Sequence, residues 1–135
     1  MPTAAPDAGM PADVANAPAW IFRYNAPGRL ETWTLRYHGE VAAIDVESQT
    51  GTIHYLGSAN DGSSLVLALS AGNARLSLEC KHEQRAIGAA CDDKKPPKQD
   101  VLACYHPDFK EPMPFGPAPG IEYLQSASCT GYHRL

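Results

Sequence analysis

Glycine recurs in this chain with a beat that leaves few folds open. Gly28, Gly39, Gly51, Gly62 and Gly72 stand about 10 to 12 residues apart, the spacing of turns in a meander of short antiparallel strands. Between these turns the side chains alternate as half-buried strands require. Trp20, Phe22 and Tyr24 share one face against Ile21 and Arg23. Trp33, Leu35 and Tyr37 do the same against Thr32, Thr34 and Arg36. Val41 to Glu47 is apolar on both faces apart from Asp45, which suits a more central strand. Strands are also expected at Thr52–Leu56, Leu65–Leu69, Ala74–Cys80 and Val101–His106, with terminal ones at Ile121–Gln125 and Thr130–His133. Turns are expected at Ala59-Asn60-Asp61-Gly62 and Ala71-Gly72-Asn73. Glu83–Cys91 shows neither period cleanly and reads as a helical turn or an irregular crossing.

The expected fold is therefore all-β, mainly antiparallel: a small meander barrel or sandwich of six to eight strands. A chain of 135 residues supports one core and is too short for two. Residues 19–135 form that single domain. Residues 1–18, with Pro2, Pro6, Pro11 and Pro18, read as a disordered Ala/Pro-rich leader. Such a segment suits the tether of a processed secreted protein or lipoprotein.

Four cysteines, Cys80, Cys91, Cys104 and Cys129, have the arithmetic of a disulfide framework. The expectation is two bridges between sequence neighbours, Cys80 with Cys91 and Cys104 with Cys129. Each would contribute about 3 kcal/mol by closing a local loop. Leu76, Leu78 and Cys80 share a face, so Cys80 is expected to point inward. The competing reading treats Cys80 with His82, Cys104 with His106, and Cys129 with His133 as metal-ligand pairs. Their spacing departs from the usual zinc patterns, and no metal or other cofactor is expected.

Charge narrows the partners. The formal net charge is −4, and the one basic cluster, Lys94, Lys95 and Lys98, lies among Asp92, Asp93 and Asp100. A phosphate-binding surface needs unbalanced positive charge, so nucleic acid is not an expected partner. No apolar run approaches the roughly 20 residues of a membrane-spanning helix, so no membrane span is expected. No Gly-x-Ser-x-Gly elbow or glycine-rich phosphate loop is present. The five histidines are scattered, and the acids Asp45 and Glu47 share a strand face as solvated acids commonly do. No catalytic residues are assigned.

Pro107 to Gly120 carries five prolines together with Phe109, Met113 and Phe115. A segment this long with apolar groups is functional more often than it is a mere linker. Two readings compete: a lid folded over one end of the sheet, or a partner-binding surface made by Phe109, Met113, Phe115 and His106. The functional expectation is a non-enzymatic periplasmic or extracellular module that binds another protein, as an inhibitor or immunity protein of the bacterial envelope. In general architecture this resembles the small β-barrel envelope lipoproteins that inhibit lysozyme, a likeness of fold that transfers no residues. The alternatives are a small-ligand carrier with Trp20, Phe22, Trp33 and Tyr37 around a cavity, and an envelope enzyme or metal protein using His82, His106 and His133.

Overall fold

A computed structural model describes residues 11–26, 29–86, 98–116, 118–126 and 130–134. A four-residue helical turn, α1 (Ala12–Ala15), precedes ten strands. These are β1 (Trp20–Ala26), β2 (Arg29–His38), β3 (Val41–Ser48), β4 (Gly51–Asp61), β5 (Leu65–Ala71), β6 (Ala74–Ala86), β7 (Lys98–Tyr105), β8 (Met113–Phe115), β9 (Ile121–Ser126) and β10 (Thr130–Arg134). They form one sheet in the order β10-β9-β1-β2-β3-β4-β5-β6-β7-β8. Every pairing is antiparallel except β1 with β9. The sheet curls until β8 approaches β1 and β9, giving a nearly closed barrel.

The described residues form ten strands where six to eight were expected. The three-residue β8 is too short for alternation to register in the sequence. β9 and β10 owe their places to β1, which lies about a hundred residues away along the chain and cannot be seen from their own residues.

The turn glycines act through their backbone freedom at two hairpins. Gly39 and Gly72 each occupy the first position of a two-residue loop with φ of 61°. A type II′ hairpin needs such an angle there, and an L side chain resists it. Gly28 lies outside the described residues. The expected turn at 59–62 is displaced: β4 runs on to Asp61, Ala59 is buried, and the chain reverses at residues 62–64. β6 likewise continues as strand to Ala86 where a helical turn or crossing was expected; residues 87–97 lie outside the described residues.

Directly opposed residues on paired strands share a face. The register therefore carries an inward row through Trp20, Leu35, Ile44 and Tyr55, and a second row from Ala59 through Leu67 to Leu78. Trp20, Phe22, Leu35, Ile44, Leu67, Leu69, Leu78, Phe115 and Tyr123 are buried in one core cluster. The central-strand expectation for β3 holds, since Ala42, Ala43 and Ile44 are all buried on successive positions.

Within the stretch read as leader, α1 has buried Val14. It contacts β2 and β3 on the outer side of the wall, where Ala43 is also buried outside the main cluster. Arg36 Nε donates to the Ala17 carbonyl at 3.2 Å, and Asp13 lies 3.8 Å from His38 Nδ1. Residues 1–10 lie outside the described residues.

The expected neighbour bridges are overturned. Antiparallel pairing sets Cys80 of β6 directly opposite Cys104 of β7, with Cα atoms 3.9 Å apart, and these two sulfurs are bonded. Both neighbour pairings are thereby excluded, because each requires one of these sulfurs. Local spacing favoured short loops, whereas the choice is made by cross-strand register. Cys80 does face inward as expected, and both cysteines are buried. Cys91 and Cys129 lie outside the described residues.

β4 changes partner along its length. It pairs with β3 along Gly51–Ser58 and with β5 along Leu56–Asp61, so the overlap is short. Gly57 sits in this overlap, and a Cβ there would fall 2.0 Å from the Ala68 carbonyl oxygen. Only glycine admits this backbone approach.

Two measurements test this arrangement. Non-reducing peptide mapping is expected to recover a Cys80–Cys104 linked peptide, and the Cys80→Ala/Cys104→Ala double variant to lose about 3 kcal/mol in urea unfolding, the loop-closure contribution; a Cys80–Cys91 peptide would refute the register. Gly57→Ala is expected to cost about 2 to 3 kcal/mol through forced separation of β4 and β5, read as a lowered unfolding midpoint at unchanged slope.

Candidate functional site

The barrel has two mouths, and the proline-rich segment closes against one of them. That mouth is bordered by the β3/β4 turn at residues 49–50, the β5/β6 turn at 72–73, and residues 106–112. Here the inward row of Phe22, Trp33, Val46 and Ile53 runs across four paired strands. Phe22 is buried, Trp33 and Val46 are half-buried, and Ile53 is 47% exposed. The gradient has a simple cause. β5 begins to pair with β4 only at Leu56, so residues 51–55 project past it; Tyr55 stays half-buried against the core while Ile53 is left exposed.

The four residues expected to bind a partner divide into two pairs. Met113 and Phe115 lie on β8, which pairs with β7 at Cys104 and Leu102. Phe115 is 0% and Met113 7% exposed, as a lid would have them. Phe115 so enclosed presents no surface to a partner, whereas Met113 still lines the groove beside it. Their apolar character alone could not distinguish the two roles, because β8 is defined by its pairing and not by its pattern. Phe109 and His106 stay half-buried at the rim.

Those rim residues hold one another in place. The Asp108 backbone N–H lies 3.0 Å from His106 Nδ1 as its hydrogen-bond donor. The Phe109 backbone N–H donates to the His106 carbonyl at 3.0 Å, closing a tight turn. The His106 and Phe109 rings are 4.9 Å apart between centroids, and Phe109 meets Trp33 edge to face at 6.4 Å. Trp33 Nε1 donates to Glu31 Oε1 at 3.3 Å.

Between this aromatic chain and the proline segment lies a groove of about 380 Å³, lined by Phe22, Tyr24, Trp33, Phe109, Met113 and Pro114 among others. Lys110 and Glu111 also line it. Tyr24 and Trp33 read as core in the sequence, because alternation reports the face of a strand and not its height along the barrel. The turn expected from the sequence at Gly28 was the available signal that both stand close to a strand end.

Other chemistry is sparse among the described residues. Asp45 Oδ1 and His54 Nδ1 are 2.6 Å apart as a directly opposed pair on the outer face of β3 and β4. No hydrogen bond from a serine, threonine or cysteine to that ring is seen among the described residues. Asp45 and His54 have the form of a cross-strand polar pair. His82 lies at the opposite mouth from His106, and His133 stands on β10. The sulfurs of Cys80 and Cys104 are joined, which removes them from the Cys/His ligand reading. No group of three or more metal-ligating side chains occurs among the described residues, and no described helix is long and apolar enough to cross a membrane.

Compared with known proteins, the chain matches no family model, no curated protein and no solved structure.

Proposed function

We propose that this protein is a non-enzymatic secreted or periplasmic module that binds another protein, as an inhibitor or immunity protein of the bacterial envelope, through the groove at the proline-rich mouth. The observation that carries this reading is the apolar row Phe22, Trp33, Val46 and Ile53, whose exposure rises to 47% at Ile53, with half-buried Phe109 packed edge to face on Trp33. Exposed aromatic anchors on a stiff frame are the usual core of a protein interface. Here the frame is β8, tied to the disulfide-bearing β7 by register, and the prolines around Phe109 restrict the segment before any partner arrives.

Charge supports a partner of particular character. Asp108, Glu111 and Glu31 lie along the rim beside Lys110, in a chain of net charge −4. A cationic segment with an apolar anchor complements that surface, and electrostatic matching of this kind chiefly speeds and directs association. The buried disulfide fits an oxidising compartment. The carrier reading has less support, because the barrel axis is occupied by Leu35, Ile44, Leu67 and Phe115, each fully buried.

The test is affinity capture from periplasmic and secreted fractions with wild-type, Phe109→Ala, Ile53→Glu and Phe115→Ala proteins. A stoichiometric partner is expected on the wild type. Its affinity is expected to fall at least about tenfold with Phe109→Ala or Ile53→Glu, while stability changes by about 1 kcal/mol or less. Phe115→Ala is expected instead to cost about 3 to 5 kcal/mol of stability. No stoichiometric partner, or binding indifferent to both rim substitutions, would refute the reading.

A further inference from the structure

The second mouth holds a different kind of site. Five strands bring inward-facing residues to it: Trp20 from β1, Tyr37 from β2, Asp61 from β4, Leu65 from β5 and His82 from β6. With Leu102 of β7 they enclose a cavity of about 160 Å³. Trp20 and His82 form one wall, their rings 5.9 Å apart and inclined at 54°. Tyr37 and Asp61 form the other, joined by a hydrogen bond from the phenol to Asp61 Oδ2 at 3.3 Å. Leu65 and Leu102 are buried and make the apolar floor.

Histidine aside, the described lining residues include one carboxylate, Asp61, and one cation, Lys81. Lys81 is turned away: on its strand it alternates with the inward Cys80 and His82, and its Nζ lies 5.5 Å from the centroid of the Tyr105 ring on the outer wall. Burial, followed by the charge of Asp61, pushes the Tyr37 phenol above its ordinary pKa. The phenol thus remains a donor to the carboxylate and adds no charge of its own.

We infer that this mouth is a binding site for a small organic cation of the quaternary ammonium type. Aromatic faces attract such a cation through their quadrupoles, and a quaternary ammonium group, which has no N–H donors, loses less on leaving water than a primary ammonium does. Asp61 supplies the opposing charge at the edge of the rings. At about 30 Å³ per water, the cavity holds the volume of roughly five waters. A trimethylammonium group has about that bulk, whereas a nucleotide or sugar chain does not. The site is independent of the groove at the opposite mouth, and neither assignment requires the other.

The test follows the Trp20 and Trp33 indole N–H resonances of ¹⁵N-labelled protein during titration with choline chloride, with 3,3-dimethylbutan-1-ol as the uncharged molecule of the same shape and sodium chloride as the ionic control. Choline is expected to move Trp20 saturably with a dissociation constant of about 1 to 10 mM, in keeping with a few cation–π contacts and one exposed carboxylate. Trp33 is expected to stay in place, and the alcohol and the salt to give no saturable shift. Asp61→Asn is expected to weaken choline at least about tenfold while Asp61→Glu retains it. A linear drift without saturation, equal binding of the alcohol, or undiminished binding by Asp61→Asn would each overturn the assignment. Should Asp61→Asn fail to fold, the comparison of choline with the alcohol on the wild-type chain still decides it.

Discussion

The barrel depends on bringing its first strand against its later ones. Trp20 and Phe22 of β1 share a buried cluster with Leu102, Met113 and Phe115 of β7 and β8, and Trp20 also meets His82 of β6. Each such aromatic removes a large apolar area from water, at about 25 cal/mol per Å². That gain offsets the entropy of closing a loop of roughly ninety residues, which rises only slowly with length. Without this contact the strands would make an open ribbon with one oily face.

Closure is incomplete, and the incompleteness has consequences. β8 is three residues long and includes Pro114, which cannot donate to a further strand. The sheet thus ends at β8 with a blunt edge, a device that also discourages pairing with another chain. The bond between Cys80 and Cys104 sits one strand back from that edge. It ties β7, and through it β8, to the middle of the sheet. The proline segment that follows β7 is consequently anchored at both ends, and Phe109 is presented from a turn with little freedom.

Antiparallel strands put their hairpins alternately at two ends, and the two ends of this barrel have different chemistry. One has an apolar lip, because β4 outruns β5. The other gathers rings and a carboxylate above a leucine floor, because β1, β2, β4 and β6 all deliver inward residues there. The same inward row supplies core in the middle of the barrel and site at its ends. Position along the axis, rather than residue type, separates Leu35 from Tyr37 and Phe22 from Tyr24.

What the residues settle alone is local: the two-residue alternation that assigns Trp20, Phe22, Leu35, Leu76, Leu78 and Cys80 to the inner face, and the glycines that permit hairpins at Gly39 and Gly72. These depend on steric preferences within a few residues. The partner of Cys80, the existence of β8, the burial of Val14, the enclosure of Phe115 beside a half-open Phe109, and the meeting of Trp20 with His82 were decided only in three dimensions. Each arises from strands far apart in the chain being set side by side, and register and curvature are properties of the whole sheet that no short stretch of sequence contains.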